Sequence, residues 1–157
     1  MLTGQELVDQ KIIIGEISAE NVQQHGVDLD VIKIEQMQGI GRIPTKGKTK
    51  LVEYKEVAIV DGYWNLVPGC AYSVTFRQGC KIPADKMLLI RQRSSLLRNG
   101  TFLHSSVFDA GFETEQIGTV IVVMHPIQIE VGARIAQIYA HDSNVVENLY
   151  NGQFQGK

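Results

Sequence analysis

Isoleucine and valine dominate the apolar residues of this chain, which contains 33 of them against 11 leucines and 8 alanines. β-branched side chains suit the pleated surface of a strand, whereas leucine and alanine favour helices. Fifteen glycines supply many turns, and 157 residues are the size of one domain. We therefore expect a mainly β domain. Its short strands, separated by turn signals about every 8–12 residues, indicate a sandwich, jelly roll or barrel.

The charges of the chain nearly cancel, because 15 lysines and arginines stand against 17 aspartates and glutamates, for a net charge of −2. This balance argues against a nucleic-acid partner, which usually requires a basic excess. No apolar run approaches the roughly 20 residues that a membrane helix needs, so we expect no membrane partner. Residues 1–10 lack the basic head and apolar centre of a signal peptide, and we expect a cytoplasmic protein.

The two cysteines, Cys70 and Cys80, form no metal-binding or redox motif. The four histidines are scattered, and none has a partner at the spacing of zinc ligands. In a reducing cytoplasm we expect two buried free thiols. A disulfide across a hairpin is the alternative.

One helix is predicted near the N-terminus. Thr3 and Glu6 have the spacing of a capping box, and Leu2 and Leu7 occupy the two positions of a hydrophobic staple. We expect this helix over residues 4–11.

The rest of the chain reads as strands and turns. Residues 94–99 predict a short helical turn that ends at Gly100 in the left-handed region. The basic segment 39–50 is interpreted as a solvated surface loop, with a phosphate-steering loop as the alternative. Period-two alternation or buried apolar runs predict strands at 26–34, 57–60, 71–77, 87–90, 101–108, 118–125, 127–131 and 134–140.

Residues 93–98 (RSSLLR) carry the clearest chemical signal, because two serines open the predicted helical turn and two arginines flank it. Free N–H groups at a helix start, hydroxyl donors and a guanidinium together suit phosphate oxygens. A surface turn capped by Ser94 explains the same residues equally well.

Two aspartates lie at positions that suit either structure or chemistry. Asp109 ends a predicted strand and precedes two small residues and Phe112. It is either a turn residue of the Asx type or a carboxylate that orders a water. Asp28 interrupts an apolar strand, as a salt-bridge partner or as a group that acts on a metal through water.

Taken together and in this order, these segments resemble the dCTP deaminase/dUTPase family, in particular its deaminase-like branch. The similarity runs over nearly the whole chain and is specific as a set. Five segments carry it: 26–29 (GVDL), 93–98 (RSSLLR), 109–112 (DAGF), 132–137 (GARIAQ) and 150–156 (YNGQFQG).

The resemblance implies a distorted β-barrel or jelly roll of the dUTPase type with a short N-terminal helix. It also implies a homotrimer with active sites between subunits and a deoxynucleoside triphosphate that carries Mg²⁺. One domain spans residues 1–146, and a tail at 147–157 closes over the site.

The resemblance also assigns roles to residues, with Asp109 as the catalytic residue. Asp28 would act on Mg²⁺ through water. The nucleoside would be held by Phe112, by main-chain groups near Ile121, and by Tyr150. Phosphate would be held by Arg93, Ser94, Ser95, Arg98, Gln137 and Gln155.

Two departures from the family pattern shape the expected activity. Deaminases carry a glutamate in the strand after the Asp109 segment, and alignment of residues 118–124 places Val123 there. Valine cannot move protons, whereas deamination needs a proton shuttle. Gln153 stands where the family carries a lysine in its tail, and this replacement weakens phosphate binding. We therefore expect a dUTP pyrophosphatase; a dCTP deaminase, monofunctional or bifunctional, and an inactive nucleotide-binding trimer are the alternatives.

Overall fold

The computed structural model describes residues 1–104 and 106–156. Ser105 and Lys157, which fall within a predicted strand and the tail, lie outside the described residues. The helices of the described part are α1 (Gly4–Asp9) and α2 (Ser94–Arg98). Its strands are β1 (Ile13–Ile14), β2 (Val27–Gln38), β3 (Glu53–Glu56), β4 (Ile59–Val60), β5 (Tyr63–Leu66), β6 (Cys70–Phe76), β7 (Gly79–Lys81), β8 (Lys86–Gln92), β9 (Thr101–His104), β10 (Val107–Phe108), β11 (Glu113–Thr114), β12 (Gly118–Val123), β13 (Ile127–Glu130) and β14 (Arg134–Asp142).

The expected mainly β architecture with a short N-terminal helix is confirmed. The main sheet has the strand order β10-β8-β14-β2-β6-β12-β9, with β3 added against β2, and it curls into a half-barrel. Two three-stranded sheets, β1-β7-β11 and β13-β5-β4, complete the described strands. The long strand β2 joins the two halves of the main sheet, because it pairs with β14 near its start and with β6 beyond Val31.

The capping box of α1 is present as predicted. The Glu6 N–H donates to Thr3 Oγ1 at 3.2 Å, and the Thr3 N–H donates to a Glu6 carboxylate oxygen at 2.7 Å. Leu7 is fully buried, so packing fixes the helix on the core. The helix ends at Asp9 rather than at the predicted Lys11, whose φ of 56° lies in the left-handed region and is incompatible with a further helical turn.

The predicted strands are found, with shifted ends. The segment predicted at 57–60 is extended as a strand only at Ile59–Val60, and the turn at Asp61 and Gly62 has φ values of 49° and 84°. Two consecutive positive φ angles are those of a type I′ hairpin turn, which joins β4 to β5. Strands β1, β3, β5, β7 and β11 were not predicted.

Both cysteines are free, as expected, and the alternative of a hairpin disulfide is wrong. Cys80 is buried in the core, but Cys70 at the start of β6 is only half-buried, which corrects the expectation of two buried thiols. Among the described residues no helix is long and apolar enough to cross a membrane.

Candidate active site

A cavity of about 520 Å³ opens beside the turn that follows β10. Aromatic rings from two parts of the chain line it, and so does Asp109, whose side chain is exposed. Such a cavity offers flat apolar surfaces beside one carboxylate, a combination that suits a ligand with both a ring and a reactive polar group. The rings are those of Phe108, Phe112, Tyr150 and Phe154.

Backbone hydrogen bonds hold the turn that presents Asp109. The Phe112 N–H donates to the Asp109 carbonyl at 3.1 Å, and the Gly111 N–H donates to the Ile82 carbonyl at 3.0 Å. Gly111 has a φ of 85°, and a Cβ built there would lie 2.6 Å from Leu149 Cβ. Glycine is therefore needed both for the turn and for the close approach of the tail.

The C-terminal tail packs on this turn within the same chain. The Tyr150 N–H donates to the Ala110 carbonyl at 2.8 Å, and the Tyr150 ring meets the Phe112 ring edge-on at a centroid distance of 5.4 Å. Further along, Gln155 Nε2 donates to the Gly111 carbonyl at 2.9 Å. The structure thus brings Asp109, Phe112, Tyr150 and Gln155 together, and the Gln155 amide is occupied by backbone partners of the turn.

Ile121 lies outside this cavity. Its side chain is fully buried in the core, and its backbone position pairs with Tyr72 on one side and with Leu103 on the other. Gly118 lines the cavity instead, at the end of β12 that β9 does not cover. The backbone groups of β12 open to a ligand therefore lie nearer to Gly118 than to Ile121.

The candidate phosphate residues form a second cluster around α2. Arg93, not Ser94, occupies the N-cap and makes no side-chain capping bond, so the interpretation of Ser94 as a cap is wrong. Buried Leu96 fixes α2 on the core, and Gly100 ends it with a φ of 65°, as predicted. The side chains of Ser94, Ser95 and Arg98 are exposed and make no hydrogen bond or ion pair within the described part of the chain.

Asp28 anchors the arginines beside this cluster. Its side chain is 1% exposed, and its Oδ2 lies 3.3 Å from Arg93 Nε and 3.8 Å from Arg134 Nη1. Its Oδ1 accepts a hydrogen bond from Gln137 Nε2 at 3.3 Å. Burial raises the pKa of Asp28 above the usual value, and the Arg93 charge, the Gln137 hydrogen bond and the Arg134 charge oppose that rise.

Strand register explains why these residues meet. In the sheet order β8-β14-β2, Gln137 of β14 lies directly between Arg91 of β8 and Asp28 of β2. The Arg93 N–H donates to the Ile135 carbonyl at 2.9 Å, which extends this pairing to the start of α2. Sequence reasoning missed Arg134, although it lies in the GARIAQ segment that carries part of the family resemblance.

The two clusters do not meet in one copy of the chain. The described lining of the cavity includes no residue of α2, no lysine and no arginine. A single chain therefore supplies an aromatic pocket with one carboxylate in one place and exposed anion-binding groups in another.

The described residues do not fit a resident magnesium site. No group of three or more His, Cys, Asp or Glu side chains among them could hold a metal ion. The buried carboxylate of Asp28 faces two guanidinium groups, which repel a cation. Its contact with Mg²⁺ through water stays a prediction, and the contacts that the structure shows are those of an anchor for arginine.

Comparisons of the sequence with known proteins all indicate the same family. A family model described as dCTP deaminase-like matches residues 3–143. The deoxyuridine 5'-triphosphate nucleotidohydrolase of Methanocaldococcus jannaschii is 36% identical, over 90% of this chain and 91% of that protein. A protein named dCTP deaminase from Acidianus ambivalens is 30% identical, over 93% of this chain and 84% of that protein.

The fold has a solved counterpart. The crystal structure of the 2'-deoxycytidine 5'-triphosphate deaminase from Agrobacterium tumefaciens matches with a TM-score of 0.70 at 19% identity. The match covers 88% of this chain and 46% of that chain, so this chain spans about half its length. At this identity the likeness concerns the fold alone, and it confirms the expected barrel-like architecture.

Proposed function

The chain belongs to the dCTP deaminase-like family, and on that premise we propose that it is a dUTP pyrophosphatase, which hydrolyses dUTP to dUMP and pyrophosphate in deoxynucleotide metabolism. The observation that carries this proposal is the exposed carboxylate of Asp109 in the lining of a cavity that also contains four aromatic rings. The cavity takes the nucleoside, with Phe112 and Tyr150 beside the sugar. Asp109 then lies where the reacting end of the nucleotide leaves the cavity.

In the proposed reaction Asp109 orients a water and accepts its proton. The water oxygen forms a bond to the α-phosphorus, the bond from that phosphorus to the bridging oxygen breaks, and pyrophosphate leaves with the bonding electrons. A positioned general base of this kind contributes about 10²–10⁴-fold to the rate. The substrate is the magnesium complex of dUTP, and its ion neutralises charge on the phosphate oxygens.

The phosphate chain is held by the α2 cluster of a neighbouring copy in a homotrimer. Two features support this arrangement. The described lining of the cavity includes no cation, and Ser94, Ser95 and Arg98 are exposed without side-chain partners in the described part of their own chain. A homotrimer joins the aromatic pocket of one copy to the anion-binding groups of the next.

Deamination of dCTP is the second candidate, because one relative carries that name. It requires a group that takes a proton from water and delivers one to the base and to the leaving amine. Strand β12 (GTVIVV) contains no acidic residue, and Val123 is fully buried among core side chains. A shift of the alignment along β12 brings in no carboxylate, so we assign the hydrolase activity alone.

The two free thiols are compatible with a reducing, cytoplasmic location.

A complementation experiment tests the composite site. Asp109→Asn and Arg98→Ala are each expected to be nearly inactive. When the two variants are unfolded, mixed in equal amounts and refolded, an interface between a chain with Asp109 and a chain with Arg98 regains both groups.

In a cyclic trimer each site takes Asp109 from one chain and Arg98 from its neighbour. After random mixing each of these residues is intact with a probability of about one half, so about one quarter of the sites regain both. Light scattering on the same samples gives the mass of the assembly. No recovery of dUTP hydrolysis, or a monomer at micromolar concentration, contradicts the composite site.

A further inference from the structure

A triphosphate needs positive charge near its phosphates on the side of the cavity that the tail covers. The substrate of the proposed function carries several negative charges, whereas the described lining of the cavity offers one carboxylate and no cation. Residues 150–156 of the tail, which pack over the cavity, carry no charged side chain. Among the described residues, we therefore expect cations for the outer phosphates in the segments that contact this part of the tail.

The loop between β2 and β3, residues 39–52, is such a segment. It carries four cations and no acidic residue, and all four side chains are exposed. None of them forms an ion pair with the described residues. The loop has a fixed shape near its base, because the Arg42 N–H donates to the Lys50 carbonyl at 2.8 Å and the Lys50 N–H donates to the Arg42 carbonyl at 2.9 Å. The cations are Arg42, Lys46, Lys48 and Lys50.

One contact joins this loop to the tail. Gln153 Nε2 lies 3.4 Å from the carbonyl oxygen of Thr49, and the next residue, Phe154, lines the cavity. Lys48 and Lys50 are the chain neighbours of Thr49, so of the four cations they lie nearest in sequence to the point of contact. The tail segment that covers the cavity thus contacts the basic loop between two lysines whose exposed side chains form no ion pair with the described residues.

From this arrangement we propose that Lys48 and Lys50 bind the outer phosphates of the triphosphate when the tail is closed. The proposal rests on the proposed function, and it assigns to the basic loop the positive charge that residues 150–156 lack. Lysine suits this task, because its flexible stem lets a compact charge follow a phosphate group. The α2 cluster acts on the same phosphate chain from the neighbouring copy.

The test compares two double variants that remove the same net charge. Lys48→Gln/Lys50→Gln removes the proposed contacts. Lys11→Gln/Lys55→Gln removes two other exposed lysines that form no ion pair with the described residues, one after α1 and one on β3. Steady-state hydrolysis of dUTP gives kcat and KM. Calorimetric titration with inorganic tripolyphosphate and with dUMP measures binding of the phosphate chain and of the nucleoside separately.

In the Lys48→Gln/Lys50→Gln variant we expect KM for dUTP to rise about tenfold and kcat to stay within about twofold of the wild-type value. The tenfold change corresponds to the free energy that a hydrogen bond to an ionised group contributes. Tripolyphosphate binding weakens by a similar factor, while dUMP binding is unchanged. The dependence of kcat/KM on salt becomes shallower, because two steering charges are gone. The Lys11/Lys55 variant behaves like the wild type.

The outcomes separate this inference from the proposed function. Equal effects in both double variants, or no effect in the loop variant, overturn the inference while dUTP hydrolysis by the wild type stands. If the wild type does not hydrolyse dUTP but binds tripolyphosphate through Lys48 and Lys50, the proposed function fails and the phosphate site is supported.

Discussion

The Nε atom of Arg93 lies 3.3 Å from the buried Oδ2 of Asp28, so the arginine that opens the α2 cluster is held by a carboxylate 65 positions earlier in the chain. The same Asp28 oxygen is 3.8 Å from Arg134 Nη1. An anchored guanidinium loses less freedom when it meets a phosphate than a free one does. We therefore expect Asp28 to be a positioning residue that acts on the substrate through Arg93.

Replacement of Asp28 by asparagine tests this role. We expect KM for dUTP to rise about tenfold with a smaller change in kcat, because Arg93 loses its charged partner but the shape of the site is kept. Glu20→Gln is the matched control, since it removes an exposed carboxylate that lies 3.4 Å from Arg134 Nη2. Equal effects of the two changes on KM contradict an anchoring role specific to Asp28.

The raised pKa of Asp28 predicts opposite effects of pH on activity and on stability. As pH falls through this raised pKa, Asp28 takes up a proton and releases Arg93, so kcat/KM falls at a higher pH than an ordinary aspartate would cause. The stability contributed by this group runs the other way. It is fully present below the unfolded-state pKa of 3.8 and is lost as pH rises through the folded-state pKa.

Kinetic profiles and thermal unfolding between about pH 4 and 7 measure both effects. In Asp28→Asn the acid limb of kcat/KM moves to lower pH, and the corresponding part of the stability profile flattens. If the acid limb of kcat/KM is unchanged in this variant, the titration that lowers kcat/KM at acid pH belongs to another group.

The carboxylate of Asp109 is expected to be needed for turnover and not for binding. Asp109→Asn should bind a non-hydrolysable dUTP analogue with wild-type affinity and hydrolyse dUTP at least about 100-fold more slowly, the low end of general-base effects. Asp61→Asn, in the exposed turn between β4 and β5, is the control and should be fully active. A near-normal rate in Asp109→Asn removes this residue from the mechanism.

The tail is expected to serve activity more than folding. Deletion of residues 150–157 removes the Tyr150–Phe112 ring contact and the Gln155–Gly111 hydrogen bond at the surface, but no residue of the buried core. The melting temperature should change little, and most dUTP turnover should be lost because the cavity stays open. The Tyr150→Phe variant keeps the ring and should retain most activity. Full activity of the truncated chain would remove the tail from the site.

The two thiols are expected to differ in reactivity. Burial raises the pKa of Cys80 to about 12, so it stays a protonated, unreactive thiol, whereas Cys70 is half-buried at the start of β6. A thiol reagent at about pH 8 should modify one cysteine per chain in the folded protein and two after unfolding. In Cys70→Ser the folded protein should not react. Equal rates for both thiols would contradict the burial of Cys80.

Local signals in the sequence predicted the parts of the fold that depend on neighbouring residues. The capping box of α1 and the left-handed Gly100 are each set within a few residues, and both are confirmed. Strand β7 was missed because three residues with a glycine carry no period, and β5 because four residues are too few to establish one. Their strand character comes from pairing with distant strands.

The candidate site also has one part that was predicted from the sequence and one part that was not. The grouping of Asp109, Phe112 and Tyr150 followed from a resemblance that covers these segments, and the structure brings all three to one cavity. The contact of Arg134 with Asp28 depends on the order and register of β14 and β2, which alternation within one strand does not reveal.

Product analysis with two substrates tests the central claim most directly. Purified protein with Mg²⁺ is incubated with dUTP and, separately, with dCTP, and dUMP, pyrophosphate and ammonia are measured. We predict equal amounts of dUMP and pyrophosphate from dUTP, and no ammonia, dUTP or dUMP from dCTP, because Val123 and its strand offer no group that moves a proton to the base. Steady release of ammonia from dCTP would contradict the account and would make the protein a deaminase.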